Sequence, residues 1–380
     1  MRIYNGKTVL EEAKDRIRLV FDEFEHVMVS FSGGKDSTVS LFLTLEIARE
    51  KNRLPLQVVF IDQEAEWQGT VDYCRYIRSL PDIDFKWIQC NIVLFNATSH
   101  SNNWLHCWGE GEEHIREKEP GAVTENTFGT KRFKELFGAI SRTWYPNERC
   151  ANIGGVRAEE SPARLVSLTE NPFYKWITWG KSHNRGKEKL YYGFYPIYDW
   201  SYRDVWKYIH ENGLPYNKVY DAMFNHGVPM TSMRISNLNH ETALESLLLV
   251  QEIEPETWNK LVKRIEGVNT HSQLNTHQIP EICPPMFSGW KEYRDYLTIH
   301  LTKEPERSIF QKKWKFWDQK TVGMGNLEAM YRVQVRSVIL NDYYFTTFDN
   351  WKSRMDVSDY FMYKRGIWNP RMAENKYISK

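Results

Sequence analysis

The chain has no run approaching the roughly 18 apolar residues that cross a bilayer as a helix. Its five cysteines are odd in number and include no C-x-x-C pair, which argues against a disulfide framework and against a zinc ribbon. The first residues, Met1-Arg2-Ile3-Tyr4-Asn5, lack the apolar core of a signal peptide. Internal repeats and low-complexity stretches are missing as well. Net charge is nearly absent: 50 Lys+Arg against 49 Asp+Glu leaves +1, so composition makes no global case for or against nucleic acid. Only a local basic surface stays open. These absences read as a soluble, cytoplasmic, reduced protein, and 380 residues suggest two or three domains. What the chain has in quantity is apolar and aromatic residues, 41% and 14%, enough for a real core.

The most informative stretch is Ser32-Gly33-Gly34-Lys35-Asp36-Ser37. The apolar run 26–31 stands directly before it and the helical pattern from Thr38 directly after, so the order is buried strand, tight turn, helix. Adjacent glycines permit positive φ and close approach to a ligand. Hydroxyls of Ser32, Ser37 and Thr38 and the free N–H groups at the helix start suit a phosphate. Lys35 adds a mobile positive charge, and Asp36 is a candidate to hold phosphate-bound Mg²⁺. The spacing is not that of the Walker loop, G-x-x-x-x-G-K-[ST]. The competing reading is an ordinary glycine turn.

Around this loop the periodicity predicts an α/β domain. Thr8 and Glu11 form a capping-box pattern, and Val9, Ala13, Ile17, Val20 and Phe24 make one buried helical face. Strands are expected at 56–62 and 85–90, with a helix through Val71, Cys74 and Ile77 between them. That order implies a doubly wound, mostly parallel sheet. Asp62, Glu64 and Glu66 follow the second strand, where ligands of such sheets lie; a solvated acidic loop is the alternative. Residues 91–146 read as an elaboration, a lid or substrate loop, with a helix at 130–140. His100, His106, Cys107 and His114 cluster in sequence but match no zinc spacing. Cys150 reads either as a sulfur carrier or as a small buried cysteine.

Two further blocks carry a resemblance. Gly155-Val156-Arg157-Ala158-Glu159-Glu160-Ser161-Pro162-Ala163-Arg164 fits G-x-R-x-x-E-S-x-x-R, and residues 196–209 fit P-I-x-[DE]-W-x-x-x-D-V-W-x-Y-I, followed by L-P-Y-N-x-x-Y at 214–220. With the loop at 32–37, these resemble the phosphoadenosine phosphosulfate (PAPS) reductase-like branch of the PP-loop ATP pyrophosphatases, over about residues 20–235. The resemblance implies an adenine nucleotide alpha hydrolase-like fold, ATP and Mg²⁺ as ligands, and cleavage of ATP between its α- and β-phosphates. It assigns nucleotide binding to Ser30, Ser32, Gly33, Gly34, Lys35, Asp36, Ser37, Asp62, Glu64, Gly155 and Arg157, with Lys35 and Asp36 catalytic. Arg157, Glu160, Ser161, Arg164 and Asp199 would surround the anionic end of the substrate. The reductases' E-C-G-L-H motif has no counterpart, since Cys283 lacks its flanks, and the paired cysteines of an iron–sulfur cluster are missing. Neither a thiol-based reductase nor a cluster is therefore expected. The layout is also similar to IbrA-like proteins, which implies a ParB-like partner. An ATP-sensing role and a PAPS-type activity remain as alternatives, and homo-oligomerisation and nucleic-acid binding are left open.

The expected domains are 1–238, nucleotide-binding, and 239–380, mainly helical and aromatic-rich. Helices are expected at 240–252, 256–266, 290–301 and 326–339, with a linker at 267–285. From Asp342 aromatics alternate with basic residues, which suits either a small helical core or single-stranded nucleic acid.

Overall fold

The computed structural model describes residues 6–96, 98–99, 104–161, 164–165, 168, 174–175, 177–185, 188–235, 237–238, 247–269, 282–321, 327–343, 345 and 347–349. His100, residues 240–246 of the helix expected at 240–252, most of the linker and the tail beyond 349 lie outside the described residues. The chain forms two compact units, one of Met1–Leu94, Trp104–Leu238 and Ser246–Arg264, the other of Phe95–Asn103, Asn239–Glu245 and Ile265–Lys380.

The first unit opens with α1 (Val9–Glu23), whose capping box is made: Thr8 Oγ1 accepts from the Glu11 N–H, and Glu11 accepts from the Thr8 N–H. Then come β1 (His26–Ser30), α2 (Lys35–Glu50), β2 (Leu56–Ile61), α3 (Gln68–Arg78) and β3 (Ile83–Ile88). A two-stranded ribbon, β4 (Ile92–Phe95) with β5 (Trp104–Cys107), and α4 (Phe133–Trp144) occupy the elaboration. β6 (Cys150–Gly154), β7 (Gly180–Ser182) and β8 (Tyr191–Phe194) complete the sheet. Its order is β3-β2-β1-β6-β8-β7, parallel throughout except that β7 runs against β8. The doubly wound, mostly parallel sheet is as expected. β3 starts two residues earlier than its apolar run because it is an edge strand with half-exposed positions at Asp84, Phe85 and Lys86. α4 starts at 133 rather than 130 because the preceding residues are extended: the Val93 N–H donates to Lys131 O at 2.9 Å.

The topology places the site. The chain leaves β1 for β2 and β3 on one side and returns to β6 and β8 on the other. Strand order therefore reverses between β1 and β6, where Ser30 stands opposite Gly154. Loops leaving two such strands diverge and open a crevice at their carboxyl ends.

Past the sheet, α5 (Tyr202–Glu211) starts on a capping box of Ser201 and Asp204, and Gly213, at φ +56°, ends that segment. α6 (Val219–Asn225), α7 (Leu247–Ile253) and α8 (Pro255–Arg264) follow. No helix among the described residues is long and apolar enough to cross a membrane.

The second unit contains α9 (Trp290–His300), α10 (Glu306–Lys320) and α11 (Glu328–Ile339). Its core is aromatic: Phe310 and Trp314 meet Phe345, Phe310 meets Tyr343, and Trp314 meets Phe348. The core reading of the aromatic tail thus holds for its described part. Buried Arg294 on α9 donates to Asp318 at 2.8 Å and to Gln334 at 2.7 Å, tying three helices with one cation. α10 was not expected, because lysines interrupt its apolar residues; of these, Phe310 and Trp314, four apart, are the ones it buries.

Candidate active site

Backbone constraints shape the loop between β1 and α2. The Phe31 N–H donates to Val59 O at 2.9 Å, so the strand's exit stays tied to β2. Gly33 has φ +72°, and a Cβ there would stand 2.7 Å from Thr70 Cγ2, so both conformation and space require glycine. Gly34 caps α2 without a side chain. Ser37 Oγ reaches back to Gly34 O at 2.9 Å and accepts from the Ser32 N–H at 3.2 Å, so these hydroxyls hold the loop together. Ser30 Oγ donates to Asn152 Oδ1 of β6 at 2.7 Å.

The loop is also clasped from outside. The Tyr220 hydroxyl accepts from the Lys35 N–H at 3.1 Å, and Asn217 Nδ2 donates to Thr70 Oγ1 at 2.9 Å and toward Gly33 O at 3.4 Å. Burial pushes the Tyr220 phenol far above its usual pKa, so it stays neutral. These two residues stand in the L-P-Y-N-x-x-Y block, yet their role shows only in the contacts. The Lys35 amine is 7% exposed, 3.4 Å from Met233 O, 3.3 Å from Asp36 Oδ2 and 5.2 Å from the Tyr220 ring centroid.

The arginine block arrives from β6. A Cβ on Gly155 would lie 2.5 Å from the Asp36 carbonyl carbon and 2.6 Å from Ser37 N, so this turn lies directly on the first turn of α2. Arg157, 4% exposed, donates from Nε to Asp36 Oδ1 at 2.5 Å and from Nη1 to Trp200 O at 3.3 Å. Asp36 thus lies between two cations. Each oxygen of this carboxylate, the one expected to hold Mg²⁺, faces a positive group in this structure.

The other anion-end residues do different work. Glu160 accepts from the Arg157 N–H at 2.9 Å and shapes the turn. Ser161 Oγ accepts from the N–H of Arg164, whose guanidinium is exposed and 3.8 Å from Glu160. Asp199 is bound bidentately by Arg16 at 2.7 and 2.8 Å, fastening α1 to the segment after β8. Of the five, Arg157 joins the loop through Asp36.

Asp62 and Glu64, expected to face a nucleoside, are instead sealed inside, each 0% exposed. Asp62 accepts from Trp87 Nε1 at 2.8 Å and Gln89 Nε2 at 3.0 Å, and pairs with Arg116. Glu64 accepts from the Trp108 N–H at 2.8 Å and from Arg264 Nε at 2.8 Å. The elaboration and α8 are thereby bolted onto the end of β2, so in this structure the elaboration serves as a plug. Removing one partner of such a pair leaves a buried charge uncompensated. Arg116→Ala is therefore expected to destabilise the fold by about 3–5 kcal/mol; an unchanged urea midpoint would refute the bolt.

Glu66 completes this cluster. Burial, and then the neighbouring Asp62 charge, push its carboxyl up to about 8 from 4.5. The folded state holds a proton that the unfolded chain releases above pH 4.5, so stability falls as pH rises from 4.5 toward 8 and levels off beyond. Glu66→Gln removes that loss. Its melting temperature should match the wild type near pH 4.5 and exceed it by several degrees at pH 8.5. Parallel melting curves across that range would contradict this.

Four of the five thiols, Cys74, Cys90, Cys107 and Cys150, are buried. Cys150 is fully buried in β6, and burial pushes its thiol up to about 12, against a sulfur-carrier role. Cys107 Sγ lies 3.2 Å from Gln63 O, and His114 Nε2 lies 2.9 Å from Gly109 O.

Residues 26–227 match the phosphoadenosine phosphosulfate reductase domain, and residues 227–362 match a domain of unknown function, DUF3440. YbdN of Escherichia coli (strain K12), an uncharacterized protein, is 30% identical over 317 residues, 79% of this chain and 76% of its own. Sulfate adenylyltransferase subunit 2 of Sulfurovum sp. (strain NBC37-1) is 25% identical over 233 residues, 58% of this chain and 68% of its own. Among solved structures, FMN adenylyltransferase of Candida glabrata aligns at 15% identity and a TM-score of 0.35, over 56% of this chain and 57% of that one. The domain match begins at the first residue of β1 and ends just past α6, taking in the glycine loop, the Gly155–Arg157 turn and the Tyr220 clasp. On that match the chain belongs to the phosphoadenosine phosphosulfate reductase domain family of PP-loop proteins.

Proposed function

We propose that this protein binds ATP on the loop of residues 30–37 and cleaves it between the α- and β-phosphates, adenylylating an acceptor. An acceptor oxygen bonds to the α-phosphorus, the bond to the bridging α–β oxygen breaks, and pyrophosphate leaves with that electron pair. The observation that carries the reading is the meeting of two loops where strand order reverses: Gly155 against the backbone of Asp36, and Arg157 on its carboxylate. Two buried cations, Lys35 and Arg157, meet at the Asp36 carboxylate beside the positive end of α2, with Arg157 also paired to Glu159 at 3.1 Å, and the helix end and the lysine suit a polyphosphate. Family membership and likeness to a sulfate adenylyltransferase subunit support it.

In this reading Lys35 neutralises charge on the leaving pyrophosphate. Asp36 is a positioning residue that holds Lys35 and Arg157. Gly33, Gly34 and Gly155 keep the backbone bare, and Ser30, Ser32 and Ser37 fix its path. The test is pyrophosphate release from ATP in a Mg²⁺ buffer, with a ParB-like protein and candidate acceptors added in turn. ATP binding without release under every condition would make the protein a nucleotide sensor. Preference for PAPS over ATP would make it a sulfonucleotide enzyme.

A further inference from the structure

α10 is one-sided in an unusual way. Phe310 and Trp314 face the core, while Ile309, Lys312, Lys315 and Phe316 are exposed, Phe316 at 54% and Ile309 at 40%. At 100° per residue these four fall within one outward arc, with Lys312 near its centre. The helix carries five cations, Arg307, Lys312, Lys313, Lys315 and Lys320, against two acids. Neither acid offsets the outer face: Glu306 is buried, and Asp318 accepts from Arg294. Lys313 is turned toward Phe345 and Asp349. For Lys312 and Lys315 no carboxylate partner is found among the described residues. A chain of net charge +1 thus concentrates positive charge beside an exposed aromatic ring.

We infer that the outer face of α10 binds single-stranded nucleic acid, Phe316 stacking on a base while Lys312 and Lys315 contact the flanking phosphates. Exposing a large aromatic ring between lysines is unfavourable for solubility and is offset when a base covers it. In a duplex the base faces are already stacked, which leaves Phe316 nothing to cover it. A purely acidic protein would satisfy the lysines without stacking on the ring, which Lys320 Nζ approaches at 5.5 Å and Trp317 meets edge-on. The inference is independent of the nucleotide site and stands whether or not ATP is cleaved.

The experiment is fluorescence anisotropy of a labelled 20-nucleotide oligo-dT with the full chain across a salt series. Wild type should bind it more tightly than a 20-base-pair duplex. Lys312→Glu/Lys315→Glu should weaken binding at least tenfold and flatten the log K against log salt slope by about 1.4, about 0.7 per lost phosphate contact. Phe316→Ala should weaken it about tenfold and leave the slope unchanged. All three side chains are exposed, so both variants should melt as wild type does. Absence of binding, or binding that both variants retain in full, overturns the inference. Equal binding to phosphatidylserine vesicles, lost in the same variants, would assign the face to an anionic membrane and overturn it as well.

Discussion

Lys35→Ala is expected to lower kcat for pyrophosphate release by about 10²–10³, the usual cost of removing one preorganised charge-stabilising group. The amine is already desolvated, pointed by Met233 O and the Asp36 carboxylate and flanked by the Tyr220 ring. Bond cleavage therefore needs little reorganisation of this charge, and the buried setting makes it count for more than it would in water. Because the leaving group gains negative charge in the transition state, the loss should fall on kcat more than on KM. The fold should survive, since Asp36 keeps Arg157 as its partner and no carboxylate is left unpaired. Lys35→Arg is not a conservative rescue: the larger planar head has to fit between Met233 and Tyr220, and activity should stay at least tenfold down. A Lys35→Ala enzyme within threefold of wild-type kcat would remove the lysine from the chemistry and leave it a structural cation.

Some of this was readable in the chain and some was not, and the division follows sequence separation. The strand, loop and helix at 26–50 are local: an apolar run, two glycines and a helical repeat state them without reference to anything distant. The capping box at Thr8 is equally local, and it forms. Asp62 and Glu64 were misread because what neutralises them stands far away, Arg116 at 54 residues and Arg264 at 200. From the sequence they are two of three acids after a strand; in the fold they anchor two other segments. The pairing of Asp199 with Arg16, 183 residues upstream, is equally invisible in the sequence. The L-P-Y-N-x-x-Y pattern gives Tyr220 no role, because nothing local says that a phenol will meet a helix N–H 185 residues earlier. α10 escaped notice for a different reason: its buried face is narrow, and charge dominates the rest.

Gly155→Ala should be nearly as damaging to activity as loss of the lysine, although it removes no functional group. Its neighbours are backbone, the carbonyl of Asp36 and the nitrogen of Ser37, which cannot rotate away as a side chain would. A methyl group at 2.5 Å has to be relieved by separating the β6 turn from α2. The stability cost of such overpacking is modest, about 1–3 kcal/mol. The catalytic cost is larger, because Arg157 stands two residues on and its hold on Asp36 depends on that approach; a displacement of about 1 Å at a reacting centre is worth about 10²-fold. Gly34→Ala supplies the contrast. Its φ is −85°, and its Cβ would meet Tyr220 Oη at 3.4 Å and Ser32 Oγ at 3.5 Å, ordinary contacts, so the variant should melt like wild type. Gly33→Ala should be destabilised by both its φ of +72° and Thr70. If Gly155→Ala releases pyrophosphate at the wild-type rate, the two loops need not touch for catalysis, and the meeting of Gly155 with Asp36 ceases to support the proposed function.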